Sequence, residues 1–238
     1  MYDVEFWTDA RRRVLSISRI DAKNELLFFS ASHKYAIFPP VSEKRLSTFE
    51  LRNDVEIPQD YRSFLATFGA GGVGPGHGIY DFTELESESV KDSFHLTASR
   101  EWSDDDDDDD DDPIWGFPGL LTICTSGCAI DWLIEINGPQ PGTMWVVNDA
   151  ELRRCQNFGA WYAEWLDRIE LGLQKYNAIL DMIAFGAQIP QILSDCRFEV
   201  VEYKCGNETY TGFKGVPGRF RKNGADLVLA DVGSAWIE

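Results

Sequence analysis

At 238 residues, 44% hydrophobic and 13% aromatic with eight tryptophans, the chain suits one medium domain or one domain with an appendage. A chain of this size buries roughly 70% of its extended surface, so a core forms without disulfide staples. The formal net charge is −18; the run Asp104–Asp112 supplies nine acids, and without it 31 acids still face 22 bases. That balance disfavours nucleic acid, which is bound through Lys and Arg at phosphates, and favours basic protein partners reached by long-range steering, although solubility alone explains an acidic surface equally well.

Pro, Asp or Glu interrupts every apolar stretch well short of the roughly 20 residues a membrane helix needs. The opening MYDVEFWTDARRR carries acids and an aromatic pair where a leader would be basic and then apolar, so no secretory signal is expected. Cys124, Cys128, Cys155, Cys196 and Cys205 are odd in number and scattered, the usage of reduced thiols in a cytoplasmic setting.

In chain order, Val4, Trp7, Val14, Leu15 and Ile17 recur near helical spacing, and Asp21 is placed to cap a second short helix through Leu26 and Leu27. His33–Pro40 reads as extended because of its paired prolines. A helix through Leu46, Phe49 and Leu51 follows. Pro58 then opens another, with Tyr61, Phe64, Leu65 and Phe68 on one face and a stop at Gly69. Six glycines between Gly69 and Gly78 call for positive φ or close backbone approach. Asp81 to Trp102 reads as a long acidic loop, which the aspartate run extends. Leu120–Cys124, Ile130–Ile136 and Met144–Val147 read as strands, with a turn at Asn137-Gly138 longer than two residues. Phe158, Trp161, Tyr162, Trp165, Leu166, Ile169 and Leu173 trace one amphipathic helix capped by Asn157. Beyond Pro190, Phe198–Tyr203 and Asp226–Val232 are strand-like. Helices around a central group of strands give an α+β fold with a mostly antiparallel sheet.

The motifs that carry chemistry are few. Gly69, Gly71 and Gly74 match G-x-G-x-x-G, but a helix precedes them and Pro75 follows, which is the wrong context for a dinucleotide site; no P-loop occurs. His33, His77 and His95 lie in separate segments, and Cys124-x-x-x-Cys128 lacks a second ligand pair, so neither a zinc site nor a cofactor is expected. No nucleophile motif has an assignable partner. The aspartate run admits three readings: a solvated loop, an anionic arm that enters a basic cleft on a partner, or a weak cation binder lacking the glycine of a calcium loop.

Residues 39–82 hold Phe49-Glu50, then Ile57-Pro58 leading to Tyr61 and Phe64-Leu65, then a glycine-rich turn closing in Gly78-Ile79-Tyr80. Later come Gly127-Cys128, Asn137-Gly138, the spacing Gly142 to Trp145, and the helix FGAWYAEWLDRI. In this order the blocks resemble SMI1/KNR4 (SUKH) domains over residues 33 to 173. The departures are His77, where the family has Tyr or Phe, the length of the aspartate run, and the tail beyond about residue 175. The organisation expected is a helical extension over 1–32, the SMI1/KNR4-like domain over 33–173 with its acidic loop at 83–113, and a C-terminal extension of unknown role over 174–238.

The resemblance implies an α+β scaffold that binds other proteins, with no catalytic residues to carry over. In bacteria such proteins are typically immunity proteins that neutralise polymorphic toxins delivered by contact-dependent, type VI or related systems. The expected partner is a cognate toxin with a basic active-site cleft acting inside the cell, such as a nuclease. Neither nucleic acid nor membrane is expected to bind directly. Candidate contact residues are Tyr80, Trp102 and Trp115, the acids Glu84, Glu86, Glu88 and Glu101, and Asp104, Asp106, Asp108, Asp110 and Asp112. Two other readings stay open: a regulatory module for an endogenous partner, and an enzyme using a pocket beside His77.

Overall fold

The computed structural model describes residues 2–27, 29–85, 88–101, 117–149, 151–187, 189–195, 198–205, 208–223 and 226–231. Its secondary structure begins with α1 (Val4–Ile20), α2 (Ser30–His33), α3 (Glu43–Asn53), α4 (Gln59–Thr67) and a 3-10 turn at Glu88–Lys91. There follow β1 (Arg100–Glu101), β2 (Leu120–Gly127), β3 (Ile130–Glu135), β4 (Thr143–Val147) and β5 (Glu151–Asn157). The long α5 (Phe158–Ala184) leads to α6 (Ile189–Ser194), β6 (Val200–Cys205), β7 (Glu208–Phe213), β8 (Arg219–Asn223) and β9 (Asp226–Asp231). The chain divides into two compact units, Met1–Leu15 with Tyr35–Trp165 and Ser16–Lys34 with Leu166–Glu238, the boundaries falling within α1, just after α2 and within α5.

The first unit is built on an antiparallel sheet in the order β1-β5-β4-β3-β2. Strand alternation sends Trp132 and Ile134 of β3 to one face and Leu133 to the other. On the first face Trp132 lies 5.2 Å, ring centre to ring centre, from Trp161 of α5. The helical core centres on Trp7, whose ring meets Phe64 at 5.1 Å, Tyr162 at 5.5 Å, Phe158 at 5.8 Å and Phe68 at 6.4 Å. The buried stripe of α1 is Trp7, Ala10, Val14 and Ile17; Val4 and Leu15, which share the spacing only approximately, face solvent. Asn157 caps α5 as its position suggests, its side-chain oxygen accepting the Ala160 amide at 2.8 Å.

The opposite sheet face is closed by loop rather than helix. Leu120, Leu133, Trp145 and Leu152 bury there against Phe94 and Phe117, with Leu96 and Val147 packed at the side. Phe94 meets Trp145 at 5.0 Å, edge to face. The segment from the glycine turn through β1, with a 3-10 turn and an edge strand, and the short segment before β2 that carries Phe117 are therefore the two limbs of a strap, where the sequence suggests an irregular loop. Burying each phenylalanine contributes about 2–3 kcal/mol, ample to hold the strap down.

The second unit carries an antiparallel sheet in the order β6-β7-β8-β9. Phe213 lies between Phe198 and Phe220, at 5.6 and 5.4 Å. The strand-like pieces expected in the tail become β6 and β9, with Val232 outside the described residues, and β7 and β8 join them. Asp21, 2% exposed, accepts the amides of Glu25, Leu26 and Leu27, so it anchors a turn and not the short helix expected there.

Candidate functional site

The glycine segment is structural, and its strain explains its composition. Gly72 pairs with Ile37 on one side and with Ile79 on the other, and Ile79 pairs with Cys124 of β2. Tyr80 and His77 donate their amides to the Ile123 and Thr125 carbonyls, both at 2.8 Å, so this segment covers the β2 edge of the sheet. Gly71 and Gly72 have φ of 146° and 104°. A Cβ on Gly71 would stand 2.3 Å from the Tyr80 carbonyl oxygen, and one on Gly72 2.2 Å from that of Ala36. Only glycine fits where three backbone segments close together.

At this covered edge two sequence-selected side chains, Tyr80 and His77, come to the surface. Tyr80 is 38% exposed, and burial of the rest of its ring raises the phenol pKa, with Asp131 and Cys124 adding to the rise and a hydrogen bond with Thr125 opposing it. It is a neutral hydroxyl beside a carboxylate. His77 is exposed and leans on the β2–β3 turn, its Nε2 lying 3.3 Å from where a Gly127 Cβ would be. That turn is strained: Cys128 and Ala129 occupy positive φ, 51° and 59°, positions that favour Asn and Gly. Trp132 donates its indole N–H to Ser126 Oγ at 3.0 Å beside it. Cys124 is no nucleophile; its buried thiol donates to the Pro75 carbonyl at 2.9 Å and is pushed well up by desolvation.

The acids fall elsewhere. Glu84 is exposed where the strap begins, its amide on the Asp81 carbonyl at 2.9 Å. Glu88 opens the 3-10 turn. Glu101 sits in β1 directly opposite Glu151 of β5, a like-charge pair moderated by Arg153, 3.2 Å from Glu151. Since β1 and β2 are opposite edges of a five-stranded sheet and Tyr80 lies in the segment paired outside β2, Tyr80 and Glu101 are separated by about 24 Å, five inter-strand spacings. Glu86, Trp102, Asp104, Asp106, Asp108, Asp110, Asp112 and Trp115 lie outside the described residues. Of the four candidates among the described residues, Tyr80 and Glu101 lie at opposite edges of the sheet.

The strap is positioned by residues that sequence reasoning treats only as turn formers. The Asn137 carbonyl accepts the Phe94 amide at 2.7 Å, and its side-chain amide donates to the Lys91 carbonyl at 3.1 Å. Asn137 donates its amide to the Gly119 carbonyl at 3.0 Å, and its loop is closed by Glu135, which is fully buried and accepts the Gln140 amide on one oxygen and the Trp145 indole N–H, at 3.1 Å, on the other. A Cβ on Gly138 would approach Glu135 Oε1 to 2.6 Å, so Asn-Gly is required for this closure. At the far end Ser99 Oγ accepts the Arg154 amide at 3.0 Å. The spacing of Glu135 and Trp145, ten residues apart across the β3–β4 hairpin, is the only sequence signal that could have found the clamp.

Between the strap's limbs opens a cavity of about 170 Å³, walled by residues 93–96 and Arg100 on one limb and Phe117 and Pro118 on the other. Among the described residues no three His, Cys, Asp or Glu side chains gather to hold a metal ion, and no helix is long and apolar enough to cross a membrane.

The family model of the SMI1 / KNR4 family (SUKH-1) matches residues 40–164, 125 of the 238. The chain belongs to this family. Comparison with curated proteins and with solved structures returns no match. The SUKH-1 match covers α3, α4, the glycine segment, the whole five-stranded sheet and the first turns of α5. Trp7, at the centre of the aromatic core, lies before the matched span, so α1 completes the SUKH-1 core from outside it.

Proposed function

We propose that this SUKH-1 protein is an immunity protein, which binds a cognate toxin acting inside the cell and occludes it, working in the cytoplasm without a reaction of its own. Membership of an immunity-protein-like binding family is the observation that supports this most directly. The placement of charge agrees with it. Nine aspartates enter the chain between Glu101 of the edge strand and the buried Phe117, the most acidic stretch of the sequence. A toxin with a basic cleft, a nuclease for example, is the complementary partner. Tyr80, Glu84, Glu86, Glu88, Glu101, Trp102, the aspartates and Trp115 remain the proposed contact residues, with those from Glu101 to Trp115 forming the principal group and Tyr80 a separate one.

The test is coexpression with the toxin encoded beside this gene. Restored growth and copurification are expected; full lethality with no complex rejects the assignment for that pair. Replacing Asp104–Asp112 by a Gly/Ser linker halves the net charge from −18 to −9 and is expected to leave the fold unchanged. Association with the toxin should slow about tenfold or more at low salt and lose its salt dependence. An unchanged on-rate would mean that the run serves only as a spacer.

A further inference from the structure

We infer that Asp131 and Tyr80, beside the β2–β3 turn, form a niche for an arginine side chain presented by the protein partner. The inference deepens the toxin-binding reading and rests on it. Asp131 lies in β3 with Thr125 of β2 and Val147 of β4 as its cross-strand neighbours, so the three side chains share one sheet face. The strap covers that face further along β3, where Leu133 is buried in the cluster of Phe94 and Phe117. Asp131 itself is only part-buried, and Val147 packs at the side of the cluster next to it. Tyr80 reaches the same place from the segment outside β2: its hydroxyl bonds to the Thr125 side chain, and 38% of the residue stays exposed.

The Asp131 carboxylate has no cation of its own. Among the described residues neither an ion pair nor a hydrogen bond engages it. The hydroxyl beside it is committed elsewhere, since Thr125 donates to the Ile130 carbonyl at 3.1 Å and accepts the Gly127 amide at 3.1 Å. Aspartate is disfavoured in strands, and a part-buried charge without a partner gives up hydration for no return, so the position costs the free protein stability. Its field reaches its neighbours: burial raises both the Tyr80 phenol and the Cys124 thiol, and Asp131 adds to the rise in each. A guanidinium answers every one of these features. Its planar fork takes both carboxylate oxygens, its face lies on the exposed Tyr80 ring, and its methylene stem covers Val147. An ammonium offers a point charge and no planar face. The net charge of −18 draws such a group in from a basic surface.

The probe is the capped peptide Gly-Arg-Gly, compared with its citrulline version, which keeps the shape without the charge, and with its lysine version. Each is titrated into the full-length protein by NMR at physiological ionic strength, where exposed charges are screened beyond about 8 Å. The arginine peptide is expected to shift the amides of Tyr80, Thr125, Asp131 and Val147. It should bind about tenfold or more tighter than the citrulline peptide and several-fold tighter than the lysine one. Asp131→Asn should reduce it to the citrulline level, and Tyr80→Leu should weaken it several-fold. Asp131→Asn should also leave the melting temperature of the free protein unchanged or raised, because the carboxylate has no partner to lose. Equal binding of the arginine and citrulline peptides, a lysine peptide as tight as arginine, shifts centred elsewhere, or a lowered melting temperature in Asp131→Asn would overturn the assignment. With the cognate toxin, Asp131→Asn should shorten the lifetime of the complex about tenfold or more; an unchanged lifetime sinks the niche and spares the immunity reading. No complex with wild type sinks that reading, and the peptide result still decides the niche.

Discussion

Glu135→Gln is the most demanding test of how the strap is held. The carboxylate is fully buried and accepts two donors, the Gln140 amide and the Trp145 indole, which is itself fully buried. A carboxamide keeps the shape but offers one acceptor and one donor. Whichever way it turns, one N–H meets an NH2 group, and the remaining bond loses its charge assistance. A hydrogen bond to a charged group is worth about 1.5–3 kcal/mol and an orphaned buried donor costs about 1–3 kcal/mol, so a loss of about 2–4 kcal/mol is expected. For a chain of this length that lowers the melting temperature by about 4–16 °C. Because the protein has two units, a local measurement is the sharper one: hydrogen exchange at the Gln140 and Phe94 amides should accelerate in parallel, since Glu135 holds the loop whose Asn137 holds Phe94. Trp145→Phe completes a double-mutant cycle whose coupling should be about 1.5–3 kcal/mol. A Glu135→Gln protein within about 0.5 kcal/mol of wild type, with unchanged exchange at both amides, would refute the clamp.

Three other outcomes follow from the geometry. Gly72→Ala brings a Cβ to 2.2 Å from the Ala36 carbonyl oxygen at φ 104°, so it should cost about 3 kcal/mol or more and displace Ile79 and Tyr80, read as loss of soluble yield or of the Tyr80 amide resonance. Cys128→Asn with Ala129→Gly relieves two left-handed residues in a two-residue hairpin and should stabilise by about 1–2 kcal/mol, read as a raised denaturation midpoint; no rise would mean the turn is unstrained. Arg62 lies between Glu43 and Glu50 and holds the Glu43 carboxyl below its ordinary value of 4.5, chiefly by hydrogen bonding. A depressed folded-state pKa gives stability that is present above the unfolded value and lost as pH falls through the folded one, so acid melts should show a loss below about pH 4.5 that Arg62→Ala reduces; identical acid limbs in the two proteins would count against it.

Much of the fold is legible in the sequence because its pattern is carried by large apolar residues. Tyr61, Phe64, Leu65 and Phe68, and the stripe from Phe158 to Leu173, announce α4 and α5 because each faces a core on one side only. β5 announces nothing: in Glu151–Asn157 Leu152 alone is buried, and the strand exists through its ladder to β4. β1 is shorter still, two residues held by the same ladder. β7 and β8 hide behind charged and polar positions such as Glu208, Arg219 and Arg221, which pair or stack across their own sheet. The candidate contact positions are legible as residues and not as a surface. Tyr80 and Glu101 are 21 positions apart in the chain, yet the strap between them crosses the sheet from edge to edge, a displacement that no local pattern encodes. Asn137-Gly138 advertises a turn, and nothing nearby says that its carbonyl will hold Phe94, because that contact depends on where a distant segment lands.

The architecture explains why an extreme acidic insertion is tolerable in this position. The two limbs of the strap are fixed separately, one by Phe94, Asn137 and Ser99 and the other by Phe117, so the ends of the insertion are held whatever its length. Lengthening a loop with fixed ends costs only about 0.6 kcal/mol for each doubling, whereas the same nine residues inside α4 or β3 would destroy the packing. Charge can therefore accumulate there at almost no cost in stability. On the proposed reading the aspartates act on one rate: they accelerate encounter with a basic partner, and their effect weakens with salt. Neutralising the run should then lower kon and leave koff unmoved, and a variant in which koff rose as much as kon fell would show that the run makes lasting contacts instead of steering.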